Sequence, residues 1–288
     1  MSDAKSIPEV PSNVLVLTAG VDVGERVLTY EVVGWGKGRE SWGIEYSILD
    51  GNPREDNVWK LLDRTVYHRV FACSDGQKMR VKRIAVDSGY ASDFVYAYVK
   101  AHSRCIATKG EGGLGKPFIK GAGTFTKGNR ARLQILGIDS GKEEIMNRLL
   151  VAKPGRGYCH FPMLENREPT CGYDEEYFKG LTAEHRVIRH KHGFRTYEWV
   201  KLPSQRNEPF DCRILALAAL AMPSSGIDLE RMPRDIIVEN HNAETDQIKS
   251  PFGAQQMKLA DNIDTVRIRR LRLYPGGSQF GALTGLSW

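Results

Sequence analysis

Val14-Leu15-Val16-Leu17-Thr18-Ala19-Gly20-Val21-Asp22-Val23 is a run of apolar and β-branched residues that ends on a single acid. Its composition is that of a central strand buried on both faces of a sheet. A carboxylate fits that setting poorly, because a buried Asp is costly unless it is paired, hydrogen-bonded or bound to a metal. A second stretch repeats the form: Val81-Lys82-Arg83-Ile84-Ala85-Val86-Asp87 is a short apolar strand that also ends on an acid. Side by side, two such strands place Asp22 and Asp87 at one end of a sheet, with backbones roughly 5 Å apart.

Working outward, Gly24-Glu25-Arg26 supplies a tight turn, Val27 to Trp35 alternates as a second strand, and Glu40 to Leu49 supplies a third. Short turns between the three predict an antiparallel meander. Val58, Leu61, Leu62, Thr65 and Val66 then recur at helical spacing. After Asp87, Ser92 is expected to cap a helix carrying Phe94, Val95, Tyr98 and Val99. Cys105 to Thr108 reads as a strand, Gly110 to Gly128 as a mobile Gly- and Lys-rich loop, and Arg132 to Ile138 as another strand. Ser140 is the expected cap of a helix from Glu143 to Leu150. Further on come a short helix from Asp174 to Lys179 and a hairpin around Gly193, built from Glu184 to His192 and Arg195 to Lys201. A helix from Asn207 to Met222 has so few polar positions that it must be buried against the sheet. A meander followed by strand–helix alternation predicts an α/β three-layer sandwich, a mixed central sheet flanked by helices. The expected division is a lead-in over 1–13, one domain over 14–223, and a linker with a basic tail over 224–288.

The bulk properties set bounds. A chain of 288 residues with 41% apolar content can bury a real core, and a formal charge of +6 leans towards an anionic partner such as nucleic acid. Five widely spaced cysteines without a C-x-x-C read as reduced thiols rather than a disulfide framework. The first residues lack the apolar core of a signal peptide. No segment reaches the roughly 18 uninterrupted apolar residues of a membrane helix. A soluble, cytosolic protein is the expectation.

A third acid stands beside the buried helix, in Gln205-Arg206-Asn207-Glu208-Pro209-Phe210-Asp211-Cys212. Asn207 suits the N-cap, and Pro209 suits the first turn, where its missing N–H costs little. Asp211 then lies one turn into a helix that is apolar on nearly every side. Three converging carboxylates repel one another unless cations neutralise them, and hard divalent ions such as Mg²⁺ and Mn²⁺ prefer oxygen ligands. Two such ions serve phosphodiester hydrolysis. Taken singly, each acid has an ordinary reading. Asp22 and Asp87 could bond the turns that follow them, and Asp211 and Glu208 could complement a helix dipole. The three together shift the balance towards metal.

Four stretches in order then carry a resemblance: Thr18-Ala19-Gly20-Val21-Asp22-Val23, Val33-Gly34-Trp35-Gly36, Ala85-Val86-Asp87-Ser88-Gly89-Tyr90 and Arg206-Asn207-Glu208-Pro209-Phe210-Asp211-Cys212. Weaker similarity includes Gly137-Ile138-Asp139-Ser140-Gly141-Lys142 and Phe178-Lys179-Gly180-Leu181-Thr182-Ala183-Glu184. Over residues 14 to 222 the chain resembles the nuclease domain of the large terminase subunit of tailed phages, in the lambda-like class. The resemblance implies an RNase H-like fold and a metal-dependent endonuclease that cuts concatemeric viral DNA during packaging in the host cytoplasm. It matches Asp22, Asp87 and Asp211 to the family's acidic triad, with Glu208 as a possible fourth ligand or water-orienting group. It implies double-stranded DNA, the portal protein and the small terminase subunit as partners. The packaging ATPase that normally precedes this domain is expected elsewhere.

Other features are less specific. Gly110-Glu111-Gly112-Gly113-Leu114-Gly115-Lys116-Pro117 nearly spells a P-loop but puts Pro117 where a metal-binding hydroxyl belongs, so no ATP site is expected in this chain. Lys109, Lys116, Lys120, Lys127, Arg130 and Arg132 on that basic stretch are candidate DNA contacts, as are Arg186, Arg189, Lys191 and Arg195 on the hairpin. His185, His190 and His192 with Cys159, His160 and Cys171 match no standard zinc module. The basic Val266-Arg267-Ile268-Arg269-Arg270-Leu271-Arg272-Leu273 reads as a DNA or portal contact, or as an edge strand blunted by arginines. Two rival readings remain: another RNase H-like nuclease, of resolvase or integrase type, and a non-catalytic packaging adaptor that binds DNA or portal.

Overall fold

β1 (Val16–Val23) lies inside one mixed sheet of eight strands, paired on both sides. The structure, a computed structural model, describes residues 8–128, 130–163, 170–191 and 194–238. β2 (Val27–Trp35) and β3 (Ser41–Asp50) continue β1 as an antiparallel meander, with Val16 opposite Trp35 and Val27 opposite Asp50. The chain then passes through α1 (Asp56–Leu62), a π-helical turn over Asp63–Tyr67, and the small ribbon of β4 (Phe71–Ala72) and β5 (Lys78–Met79). β6 (Val81–Asp87) returns to the free side of β1 and runs parallel to it. α2 (Ser92–Ala101) leads to β7 (Cys105–Glu111), β8 (Ile119–Phe125) and β9 (Arg132–Gly137). β7 is parallel to β6 and β9 is parallel to β7, whereas β8 forms the antiparallel edge. α3 (Ile138–Leu149) follows, and β10 (Cys159–His160) pairs with β3 at the far edge. The sheet order is β10-β3-β2-β1-β6-β7-β9-β8. α4 (Glu175–Leu181), the separate hairpin of β11 (His185–Lys191) and β12 (Phe194–Val200), and α5 (Glu208–Ala221) complete the body.

Side-chain alternation along β1 explains the layers. Leu17, Ala19, Val21 and Val23 pack with Val58, Trp59 and Leu62 of α1 and Val95 and Tyr98 of α2. On the other face Val16, with Val33 and Trp35 of β2, packs with Ile145 of α3, Tyr177 of α4 and Ile214 and Leu217 of α5. The result is a three-layer α/β sandwich. Gly20 sets how closely the upper layer sits: a Cβ there would lie 2.1 Å from the Cys212 carbonyl oxygen and 2.6 Å from the Ala216 nitrogen. The same crossing is tied by the Thr18 hydroxyl, which donates to the Ala216 carbonyl at 2.8 Å and accepts from Trp35 Nε1 at 2.7 Å.

The structure departs from the sequence reading in several places. Gly110 to Gly128 is not one loop: it holds the end of β7 and all of β8, paired with β9 through a register irregularity between Lys120 and Thr124. β8 is exposed along nearly its whole length, so it carries no apolar alternation to announce it. Ser92 is the first residue of α2 rather than its cap; Ala91, with φ 47, holds the cap position without a side-chain hydrogen bond. Ser140 lies inside α3, which starts at Ile138 directly after β9, and its hydroxyl donates to the Lys116 carbonyl at 2.6 Å. Beyond α5 the chain stays on the body. Asp235 N donates to Leu15 O at 2.7 Å, Arg234 Nε to Val14 O at 2.9 Å, and Lys82 pairs with Asp235 at 2.9 Å. Residues 234 and 235 therefore strap the end of β1 opposite Asp22. The basic segment 266–273 lies outside the described residues. Among the described residues no helix is long and apolar enough to cross a membrane.

Candidate active site

The parallel register of β1 and β6 sets Val21 opposite Val86, so the next residue on each strand is an acid, Asp22 beside Asp87. Alternation puts Asp22 on the face of Gly20, under the start of α5. That helix begins where the sequence predicts, with Asn207 at the cap position, Pro209 in the first turn and Asp211 one turn in. α4 fixes the start of α5 from the side: a Cβ on Gly180 would lie 2.6 Å from Pro209 Cγ. The close crossing at Gly20 then brings the first turn of α5 down onto the acidic end of β1.

Burial and like charge act together on these acids. Asp22 is pushed up to about 7, first by burial, then by the charges of Asp87 and Glu208, against a backbone hydrogen bond from Val23 and the Arg206 guanidinium. Asp211 is pushed up to about 8, first by burial and then by Asp22, with Glu184 and Asp87 adding to the rise and Lys142 opposing it. Asp87 is raised by burial against backbone N–H donors at Gly89 and Ser88, and Gly89 N reaches its Oδ2 at 3.0 Å. The turn after β6 thus uses Asp87 as the ordinary reading expects, while its charge adds to the rise at Asp22 and Asp211. The turn after β1 is closed by the backbone, Gly24 N to Val27 O at 3.0 Å. Glu208 sits at the rim, where Arg206 Nε donates to its two oxygens at 3.3 and 3.2 Å.

The family profile of the terminase large subunit gpA endonuclease domain matches residues 3–229. The chain belongs to that family. The large terminase subunit of Escherichia phage lambda is 32% identical over 228 residues, covering 77% of this chain and 34% of that protein. The corresponding subunit of Enterobacteria phage P21 is 26% identical over 262 residues, covering 88% of this chain and 39% of that protein. The chain therefore spans well under half the length of these curated relatives. No solved structure matches it.

Two groups in this gpA-type domain escaped the site reading. Glu184 is buried beside Asp211, and its Oε2 accepts from Lys142 Nζ at 2.5 Å. Asn207, at the cap position, makes no capping bond; its Nδ2 instead donates to Glu184 Oε1 at 2.8 Å and Asp211 Oδ2 at 2.9 Å. The signal was present in the two weaker stretches of similarity, one ending on Lys142 and the other on Glu184.

The candidate ligands Asp22, Asp87, Asp211 and Glu208 all offer oxygen, the kind a hard divalent ion prefers. Their mutual repulsion is what such an ion relieves. Among the described residues no three His, Cys, Asp or Glu side chains already enclose a metal-sized space. The fit is therefore one of donor chemistry and charge.

The basic candidates divide by what they already touch. Lys109, Lys127, Arg130 and Arg132 are exposed. Lys116 and Lys120 both pair with Glu111, at 3.4 and 3.0 Å. On the hairpin, Arg186 pairs with Glu143, Arg189 with Glu198 at 3.2 Å, and Arg195 lies 5.6 Å from the centre of the Tyr197 ring. The Lys191 side chain and all of His192 lie outside the described residues. His160 bonds Glu40 Oε1 at 2.6 Å and stacks on Trp42, with ring centres 4.9 Å apart.

Proposed function

We propose that this chain is the metal-dependent DNA endonuclease of a phage packaging terminase, cutting concatemeric viral DNA in the host cytoplasm. The observation that carries the reading is that Asp22 and Asp87 end neighbouring parallel strands, with Asp211 one turn into the helix that crosses close over Gly20. Membership of the gpA endonuclease family supports it. So does an antiparallel meander continued by parallel strands, with the helix bearing Asp211 laid on the central strand, the arrangement expected of an RNase H-like frame.

In this reading Asp22, Asp87 and Asp211 hold two divalent ions, Mg²⁺ or Mn²⁺. Bound there, such ions supply activation of water and charge stabilisation of the leaving oxygen in phosphodiester hydrolysis. Glu208, held by Arg206, would serve as a fourth ligand or as a water-orienting group. The β1–β6 register fixes the spacing of two acids, and the contact at Gly20 fixes the third. Lys109, Lys116, Lys120, Lys127, Arg130, Arg186, Arg189, Lys191 and Arg195 hold the duplex through its phosphates, which positions DNA without reading its sequence. The portal protein, the small terminase subunit and a packaging ATPase are the partners of this activity.

The direct test is incubation of plasmid DNA with the protein and Mn²⁺ or Mg²⁺. Metal-dependent cutting that is abolished by EDTA is expected. Tight DNA binding with no cutting under either metal would instead favour a non-catalytic adaptor.

A further inference from the structure

Three elements that share no sequence neighbourhood meet behind Asp211. Lys142 comes from α3, Glu184 from the segment between α4 and β11, and Asn207 from the start of α5. Lys142 Nζ reaches Glu184 Oε2 at 2.5 Å, and these two side chains are 13% and 6% exposed. Glu184 Oε1 accepts from Asn207 Nδ2 at 2.8 Å, and the same Nδ2 donates to Asp211 Oδ2 at 2.9 Å. One side-chain amide thus stands between two carboxylates that would otherwise repel, with one N–H available for each.

The arrangement is not explained by stability alone. A buried ion pair is a weak source of net stability, since the desolvation of both charges offsets most of their attraction. Nor does Asn207 serve the helix end, because its side chain caps nothing. What the three groups do fix is direction. Lys142 orients Glu184, Glu184 orients the Asn207 amide, and that amide takes one oxygen of Asp211.

We propose that Lys142 and Glu184 are positioning residues for Asp211, holding its carboxylate through Asn207 with one oxygen engaged and the other left for a divalent cation. This rests on the metal-dependent reading above and names residues outside the acid triad. Outer partners that orient metal ligands typically change metal affinity 10–100-fold when removed.

The test compares Mn²⁺ affinity by calorimetry on the 288-residue chain with kcat and KM for plasmid cleavage and with thermal midpoint. The variants are Lys142→Met, Lys142→Arg, Glu184→Gln and Asn207→Ala. A positioning role predicts that Lys142→Met and Glu184→Gln both weaken Mn²⁺ binding, about tenfold or more. It also predicts lower kcat, an unchanged KM for DNA and substantial recovery in Lys142→Arg. A purely electrostatic role predicts opposite signs, because loss of a nearby cation tightens Mn²⁺ binding while loss of a nearby anion weakens it; that pattern overturns the proposal. Unchanged Mn²⁺ affinity in folded Lys142→Met and Glu184→Gln overturns it as well, whatever the thermal midpoint does. Should Lys142→Met fail to fold, Asn207→Ala carries the comparison: it removes no charge, so a positioning role weakens Mn²⁺ binding and a purely electrostatic role leaves it unchanged. A wild-type chain that neither binds Mn²⁺ nor cuts DNA overturns the metal reading and this inference together. Wild-type binding and cutting with indifferent variants overturns this inference alone.

Discussion

Glu31 and Asp22 lie on adjacent strands, on the same face of the sheet and under the same helix, and the fold treats them in opposite ways. Glu31 is fully buried, with Arg213 at 2.5 Å and the hydroxyls of Tyr173 and Tyr177 donating to it at 3.0 and 2.8 Å. Burial pushes its carboxyl above the ordinary value, and the Arg213 guanidinium and the two tyrosines oppose part of that rise. Asp22 meets mostly like charge: Asp87 and Glu208 push it further up, with Arg206 as a lesser counterweight. A compensated acid joins layers, here tying β2 to α4 and α5. An uncompensated cluster at the end of a sheet has a standing demand for positive charge. The presence or absence of a close internal counter-ion thus separates Glu31 from the proposed metal ligand Asp22.

The largest effects come from removing the uncompensated group. Asp22→Asn, Asp87→Ala and Asp211→Asn should each lower Mn²⁺-dependent plasmid cleavage on the order of 10³-fold or more while leaving the protein folded. Circular dichroism and the cleavage rate check the two halves of that statement. Full cutting by Asp87→Ala would remove the acid from the mechanism and dissolve the contrast with Glu31.

The compensated group should fail differently. Arg213→Ala leaves Glu31 buried without its counter-ion, a change that typically costs about 3–5 kcal/mol. Its urea midpoint should fall accordingly, and the double variant Glu31→Gln/Arg213→Met should regain most of the loss. If the double variant is no more stable than Arg213→Ala, the pair is not the unit that the geometry suggests.

The contrast also shows why parts of the molecule were readable in the sequence. Asp22, Asp87 and Asp211 stood out because each interrupts an apolar pattern, and pattern is a local property of the chain. The meander, β6 and α5 were legible for the same reason. Glu31 was not, since it takes its place in an alternating strand and its burial depends on Arg213 and two tyrosines far along the chain. Lys142 and Glu184 are separated by 42 residues and meet only in the folded layers. β8 is exposed and held by backbone bonds to β9, and residues 234 and 235 are held by backbone and ionic contacts. Neither carries an apolar signature to read. The expectation of an RNase H-like fold came from motifs rather than from any physical property of the strands.

The pH dependence of the metal-free protein sharpens the comparison further. A carboxyl raised in the folded state favours folding where it keeps its proton, so its contribution is lost as pH rises. For Asp22 and Asp211 the window runs from the ordinary 3.8 up to about 7 and about 8. In EDTA, stability should therefore decline between about pH 4 and pH 8. Asp211→Asn should flatten that decline, and Mn²⁺ at pH 8 should reverse it by neutralising the cluster. Urea midpoints at pH 5 and pH 8, with and without metal, measure all of this. A metal-free protein that gains stability on going from pH 5 to pH 8 would contradict the uncompensated cluster.

The smallest effects should appear where the same distinction reaches the basic surface. Lys116 and Lys120 share Glu111, so a phosphate that engages them must compete with a carboxylate already in place. Lys109 and Lys127 are exposed and make no ion pair among the described residues, so DNA can take them without that competition. Removing a side chain that neutralises one phosphate lowers the slope of log K against log salt by about one. Lys109→Ala and Lys127→Ala should each lower it by close to that amount, and Lys116→Ala and Lys120→Ala by less. Glu111→Gln frees both paired lysines and should raise the slope, a change of sign that a merely solvated loop would not produce. Fluorescence anisotropy on a short duplex across a salt series resolves the difference. Equal slopes in all five variants would mean that the duplex does not lie across β7 and β8 and that it is held instead by the β11–β12 hairpin.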